Sequence, residues 1–170
     1  MDMTGAAGFS SIVEMRGVER EVEGHVTGCC ASRDNRAFAF STGEGDVLIA
    51  PRETFRDVSS WTTLQAHDGP VLALSPDISG AGFLTGGEDC RLTRLASGRV
   101  EELAKLRRWI EHVACWTDGR KGLIAFASGK DVHLRQEDGT TGLRVLTHSS
   151  TVSGIAFDTK GKRIAASHYN

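Results

Sequence analysis

The stretch "HDGPVLALSPDISGAGFLTGGEDCRLTRL", from His67 to Leu95, sets the strongest limit on what this chain can fold into, because its pattern recurs. It holds a His and a Gly, an apolar run, a Ser-Pro-Asp turn, a second apolar run, a Gly-Gly-Glu-Asp turn, and then an alternating third run. The last segment, "HSSTVSGIAFDTKGKRIAASHYN", follows the same plan. His148 stands four residues before Val152 as His67 does before Val71, and Asp158-Thr159-Lys160-Gly161 supplies the turn. Two weaker copies occupy the rest. One starts at Val26, with turns at Asp34-Asn35 and Gly43-Glu44-Gly45; the other starts near Ile110, with turns at Asp118-Gly119 and Ser128-Gly129-Lys130. The anchors Val26, Val71, Ile110 and Val152 are spaced 45, 39 and 42 residues apart.

A period near 40–45 residues, each unit holding several short apolar runs separated by turns, predicts four-stranded β-propeller blades. The fourth, more polar run of each unit is expected near Ser60–Gln65, Arg99–Ala104 and Gly142–Thr147. "RVEELA" carries the charge expected of an outermost strand, while "VLAL" and "LIAF" lack alternation, as inner strands buried on both faces should. "VEELAKLRRWIEHVACW" is rich in helix formers, but Gly98 and Asp118-Gly119 bound it, and Val100, Trp109 and Val113 also fit two strands. The strand reading is adopted. The fold class expected is all-β, an arc of four-stranded antiparallel blades with units at about 22–65, 66–105, 106–147 and 148–170, forming one partial propeller domain.

The His-Asp-Gly step, the SPD turn and the GGED turn resemble WD-repeat (Trp-Asp repeat) β-propellers, and the chain is similar to the N-terminal half of bacterial WD-repeat proteins. The resemblance implies a blade pinned by hydrogen bonds among a loop His, a Ser or Thr of the second strand, an Asp of the tight turn and a Trp of the third strand. His67, Thr85 and Asp89 match the first three, with Leu95 in the Trp position. In the last unit His148 matches and Asn170 falls in the Asp position; in the first, Glu44 and Ala50 replace Asp and Trp, and His25 is out of register. No Trp-Asp pair occurs. The blades are therefore expected to depend on apolar packing more than on buried polar networks.

Three units and half of a fourth fit the chain, whereas closed propellers have about four to eight blades. Three arrangements are open: a truncated or fragmentary product, which the repeat count favours; half of a ring completed by a second copy or another chain pairing at exposed blade edges; or a four-blade ring closed by a strand from Ser10–Val22.

Chemistry is sparse. Net charge is −2, which supplies no general attraction to nucleic acid or anionic membrane. No run approaches the ~18 apolar residues of a membrane span, and the N-terminus lacks the basic and apolar regions of a signal peptide. Cys29, Cys30, Cys90 and Cys115 form no CxxC pair and read as reduced thiols of a cytoplasmic protein. No G-x-S-x-G nucleophile elbow occurs, and Gly129-Lys130 is followed by Asp131 with no glycine at P-loop distance. His112 and Cys115 point to opposite faces of a strand, which leaves them without the support a zinc site needs. No catalytic, cofactor-binding or metal residue is assigned. Asp68 and Glu111 are the only acids placed for chemistry in a central channel, the enzymatic alternative. The function expected is a non-enzymatic scaffold for protein partners not yet identified; a piece without independent function is the further alternative. The candidate contact residues are Lys105, Arg107, Arg108 and Trp109, at the hand-over between two blades, since Arg and Trp are enriched at interface hot spots. The competing reading packs Trp109 between blades and leaves the basic residues solvated.

Overall fold

A computed structural model describes residues 16–137 and 143–169. Fourteen strands in chain order form four antiparallel sheets among the described residues. The first holds β1 (Val26–Ala31), β2 (Ala37–Thr42), β3 (Asp46–Pro51) and β4 (Thr62–Gln65), with a short 3-10 turn at Val58–Ser60 before its last strand. The second holds β5 (Val71–Pro76), β6 (Phe83–Gly87), β7 (Arg91–Ala96) and β8 (Arg99–Lys105). The third holds β9 (His112–Thr117), β10 (Gly122–Ser128), β11 (Asp131–Gln136) and β12 (Arg144–Thr147), and the fourth pairs β13 (Val152–Phe157) with β14 (Ile164–His168).

Each sheet is a meander of neighbouring strands, and the first strands line up beside one another: β1 packs on β5, β5 on β9 and β9 on β13. Among the described residues that succession makes an open propeller arc, with no sheet closing on itself. The helix-forming stretch around Glu101–Glu102 is extended, in β8, because its residues pair with β7 from Ala96↔Arg99 to Arg91↔Lys105.

The inner hairpins repeat one device. Asp34 accepts the Arg36 amide, Asp118 the amides of Arg120 and Lys121, and Asp158 those of Lys162 and Arg163. Such short-range acceptance by an Asp is what stabilises tight turns. The amides donating to Asp118, with the Ser32 hydroxyl and Arg36 amide donating to Asp34, hold both carboxyls below their ordinary values.

Three apolar clusters lie between successive sheets. Ala39 and Val47 meet Phe83 and Leu95; Leu84 and Leu92 meet Ile110, Ile124 and Phe126; Ala125, Ala127 and Val132 meet Val152. In β6, Phe83 faces one neighbour and Leu84 the other, as the two-residue period of a strand requires. All five β6 residues are buried, and so is most of β10. Burial on both faces thus belongs to the second strands. β5, which contains "VLAL", is only partly buried, and Leu72 is exposed. The reason is positional: Leu72, Ala73 and Leu74 line the central cavity described below. Val71, Ile110 and Val152 are buried at the sheet boundaries, while the matching Val26 of the first sheet is exposed.

The closing strand expected at Ser10–Val22 is not formed over residues 16–22, and its first part lies outside the described residues. Residues 16–22 instead dock by side chains and backbone on the first sheet. The Arg20 guanidinium lies 5.5 Å from the Trp61 ring centroid, and Arg56 donates to the Arg16 carbonyl at 3.1 Å. The assignment made for Asn170 also lies outside the described residues, and β14 runs to His168.

Candidate functional site

Loops between sheets and the second hairpin of each sheet meet on one side of the arc, and backbone hydrogen bonds tie them together. Gly45 O accepts from Ala66 and His67, Cys90 O from Leu106, Gly87 O from Ile110, Lys130 O from His148, and Gly129 O from Val152.

In the second sheet this rim carries a buried polar chain. His67 Nδ1 lies 2.9 Å from Asp89 Oδ1, and His67 Nε2 lies 2.8 Å from Thr85 Oγ1. Thr85 Oγ1 in turn lies 2.6 Å from Thr93 Oγ1. Asp89 also accepts the amides of Asp68 and Arg91. Burial opposes ionisation of Asp89, but the His67 ring and those two amides outweigh it and hold its carboxyl below the usual value. With Asp89 as acceptor, the ring donates from Nδ1, and its Nε2 and the two threonine hydroxyls complete the chain. Gly87 makes room for the polar chain and Gly86 for Ile110. A Cβ on Gly86 would lie 2.6 Å from Ile110 Cγ2, and one on Gly87 would strike the His67 ring.

In this one sheet a buried polar network stands beside the apolar packing expected of the blades. Leu95 does fill the Trp position and is buried in the apolar cluster. The fourth polar partner is Thr93, two residues earlier on the same face and directly opposite Thr85. The other sheets differ. In the third, Phe126 and His133 occupy the opposed pair and stack with centroids 5.0 Å apart. Burial lowers the pKa of His133 against the pull of Asp131. In the fourth sheet the His148 ring meets His168, with centroids 5.6 Å apart and planes tilted by 40°.

The candidate contact residues run from Lys105, the last residue of β8, into the loop before β9. Leu106 packs into the cluster between the second and third sheets, and Ile110 is fully buried there. These two apolar residues bracket Arg107, Arg108 and Trp109, which face solvent, as does Lys105. The loop backbone is held on both sides. Leu106 N donates to Cys90 O at 2.9 Å, Ser128 Oγ to Arg108 O at 3.2 Å, and Glu111 N to Ala127 O at 3.1 Å. Trp109 is 50% exposed, so it does not pack between blades. Arg107, Arg108 and Trp109 form one wall of a groove of about 430 Å³, which Cys90, Glu111, Gly129 and Thr151 complete. Among the described residues, neither arginine nor Lys105 has a carboxylate within 4.0 Å.

The two acids considered for channel chemistry are not brought together. Asp68 lies on the outer part of the rim, 3.2 Å from the Arg91 guanidinium. Glu111 lines a central cavity of about 330 Å³, together with His112, Ser41, Cys29 and residues from β1, β5 and β13. Among the described residues no group of three or more His, Cys, Asp or Glu is placed to hold a metal ion, and no helix is long and apolar enough to cross a membrane. All four cysteines are free; burial, with Cys29 and Cys115 nearby, pushes the Cys30 thiol up to about 12.

The opposite side of the arc holds a charge network that the sequence reading missed. The Arg94 guanidinium reaches Asp77 at 2.9 Å and Glu137 at 2.8 Å, and so joins the second and third sheets. Arg33 extends the tie from the first sheet, donating to Asp77 O at 2.9 Å and approaching Cys115 Sγ at 3.1 Å.

The family model "WD domain, G-beta repeat" matches residues 59–93, from the end of the first sheet to Thr93 in the third strand of the second. The match takes in His67, Thr85 and Asp89 and stops before the loop at 105–109. No curated protein matches the chain. Fold and match together are consistent with the WD-repeat family: the chain is all-β, built of repeated four-stranded sheets, and one of them carries most of the match. Repeats of this type generally mediate protein interactions.

Proposed function

We propose that the chain is part of a non-enzymatic WD-repeat propeller, a cytoplasmic scaffold whose partner-facing surface is the rim loop Lys105–Trp109. The observation that carries this reading is Trp109: a large aromatic residue half exposed on a loop whose backbone is anchored to two blades. A solvated aromatic contributes little to folding, whereas Trp and Arg held on a rigid support have the composition of an interface hot spot. His67, Thr85 and Asp89 hold the turn of the second blade against its loop, and His148, whose ring meets His168, is our candidate for the corresponding residue of the last sheet.

Site-specific photo-crosslinking tests the proposal. A photoreactive phenylalanine at position 109, expressed in the native host, should form discrete protein adducts that Arg107→Glu with Arg108→Glu abolishes. The same probe at Arg120, exposed on the opposite side of the arc, should not form them. Adducts identical at both positions, or none at 109, would remove the rim from the account.

A further inference from the structure

The three tryptophans divide sharply by environment. The Trp61 indole N–H donates to Phe55 O at 2.9 Å and its ring stacks on Phe40, with centroids 5.6 Å apart. The Trp116 N–H donates to Thr159 O at 3.0 Å, and its ring fits against Gly161. Trp109 is 50% exposed, and among the described residues its N–H has no acceptor and its ring no aromatic or cationic neighbour. The cations divide the same way. Arg91 is matched by Asp68, Asp89 and Glu102, and Arg94 by Asp77, Glu101 and Glu137. Arg107 and Arg108, beside Trp109, have no such partner among the described residues. The Arg108 guanidinium is nonetheless positioned: it lies over Gly129, where a Cβ would be 3.2 Å from its terminal nitrogen.

We infer that this groove receives an acidic linear peptide segment with one large apolar residue set among Asp or Glu side chains. The inference rests on the rim reading above and adds the partner's chemistry. Two guanidinium groups without carboxylates call for carboxylates, which they bind through paired N–H donors. The uncovered indole face calls for an apolar side chain, and its free N–H for a carbonyl or carboxylate oxygen. The groove volume of about 430 Å³ accommodates a few residues of extended chain. A protein segment fits better than a nucleic acid, because the groove offers two arginines and no longer basic track along which a polyphosphate backbone could run.

Fluorescence anisotropy with the full chain tests this. The probe is a labelled glutamate octapeptide with one central leucine; the comparisons are the same peptide with alanine at the centre, a lysine octapeptide with central leucine, and single-stranded oligo-thymidine of equal length. The glutamate–leucine peptide should bind, with affinity falling as salt rises. Arg107→Ala with Arg108→Ala should weaken it by about tenfold or more. Trp109→Ala should erase the preference for leucine over alanine and leave the salt dependence in place. Unchanged binding by the double variant, no binding to the native chain, or equal or tighter binding of oligo-thymidine would overturn the inference. Crosslinks at position 109 without peptide binding would sink this inference alone and leave the rim standing, with a folded surface as its partner; loss of both would sink the rim reading as well.

Discussion

Thr85→Val is the sharpest probe of how the second blade is built. Thr85 is fully buried, 2.8 Å from His67 Nε2 and 2.6 Å from Thr93 Oγ1. Valine has nearly the same shape, so the substitution opens no cavity and removes only the hydroxyl between two buried polar groups. Each group left unpaired costs about 1–3 kcal/mol. The His67 ring cannot turn away, because Asp89 holds its other nitrogen; the Thr93 hydroxyl can rotate and recover part of its loss. The expected destabilisation is about 2–4 kcal/mol, a large share of the roughly 5–15 kcal/mol typical of a domain. In urea, with a slope of about 1–3 kcal/mol per M, the midpoint should fall by about 1–2 M. Adding Thr93→Val removes the second orphan, so the double variant should lie closer to the native chain than the sum of the single effects. Unfolding is followed by far-ultraviolet circular dichroism and tryptophan fluorescence together. A Thr85→Val unfolding free energy within about 0.5 kcal/mol of native, or strict additivity in the double variant, would show that the polar chain does not hold the blade.

The Asp89 carboxyl is held below its ordinary value, so its stabilising contribution is present above about pH 4 and is lost as pH falls through the lowered value. The stability difference between native and Asp89→Asn chains, measured by urea unfolding, should stay level from about pH 7 to 5 and shrink below about pH 4. Arg94→Met leaves the Asp77 carboxylate, whose side chain is 1% exposed, without its cation and should cost about 3–5 kcal/mol. Adding Asp77→Asn should recover more than half of that in the same assay.

The repeat was legible because it is a local pattern. A His four residues before a Val and an Asp in each inner hairpin recur in one dimension, and the outer strands fall within a few residues of where polar runs predict them. The Thr85–Thr93 pair could have been read as well, since both residues sit on one face once β6 and β7 are placed in register. What could not be read depends on how sheets meet. Arg94 and Glu137 belong to different sheets, and no local spacing connects them. Whether Trp109 packs or projects is decided by Leu106 and Ile110 taking the two apolar places on either side of it. Burial on both faces fell to the second strands because the first strands border the central cavity, which exists only when several sheets stand side by side.

The most direct test of the account is the pattern of short proton–proton distances across β6 in solution by nuclear magnetic resonance. Stacked antiparallel blades predict cross-strand contacts from Thr85 to both Leu74 and Thr93, with side-chain contacts from Phe83 to Ala39 on one side and from Leu84 to Ile124 on the other. Helical connectivities through Val100–Trp116, or contacts from Phe83 and Leu84 to the same neighbouring sheet, would contradict it.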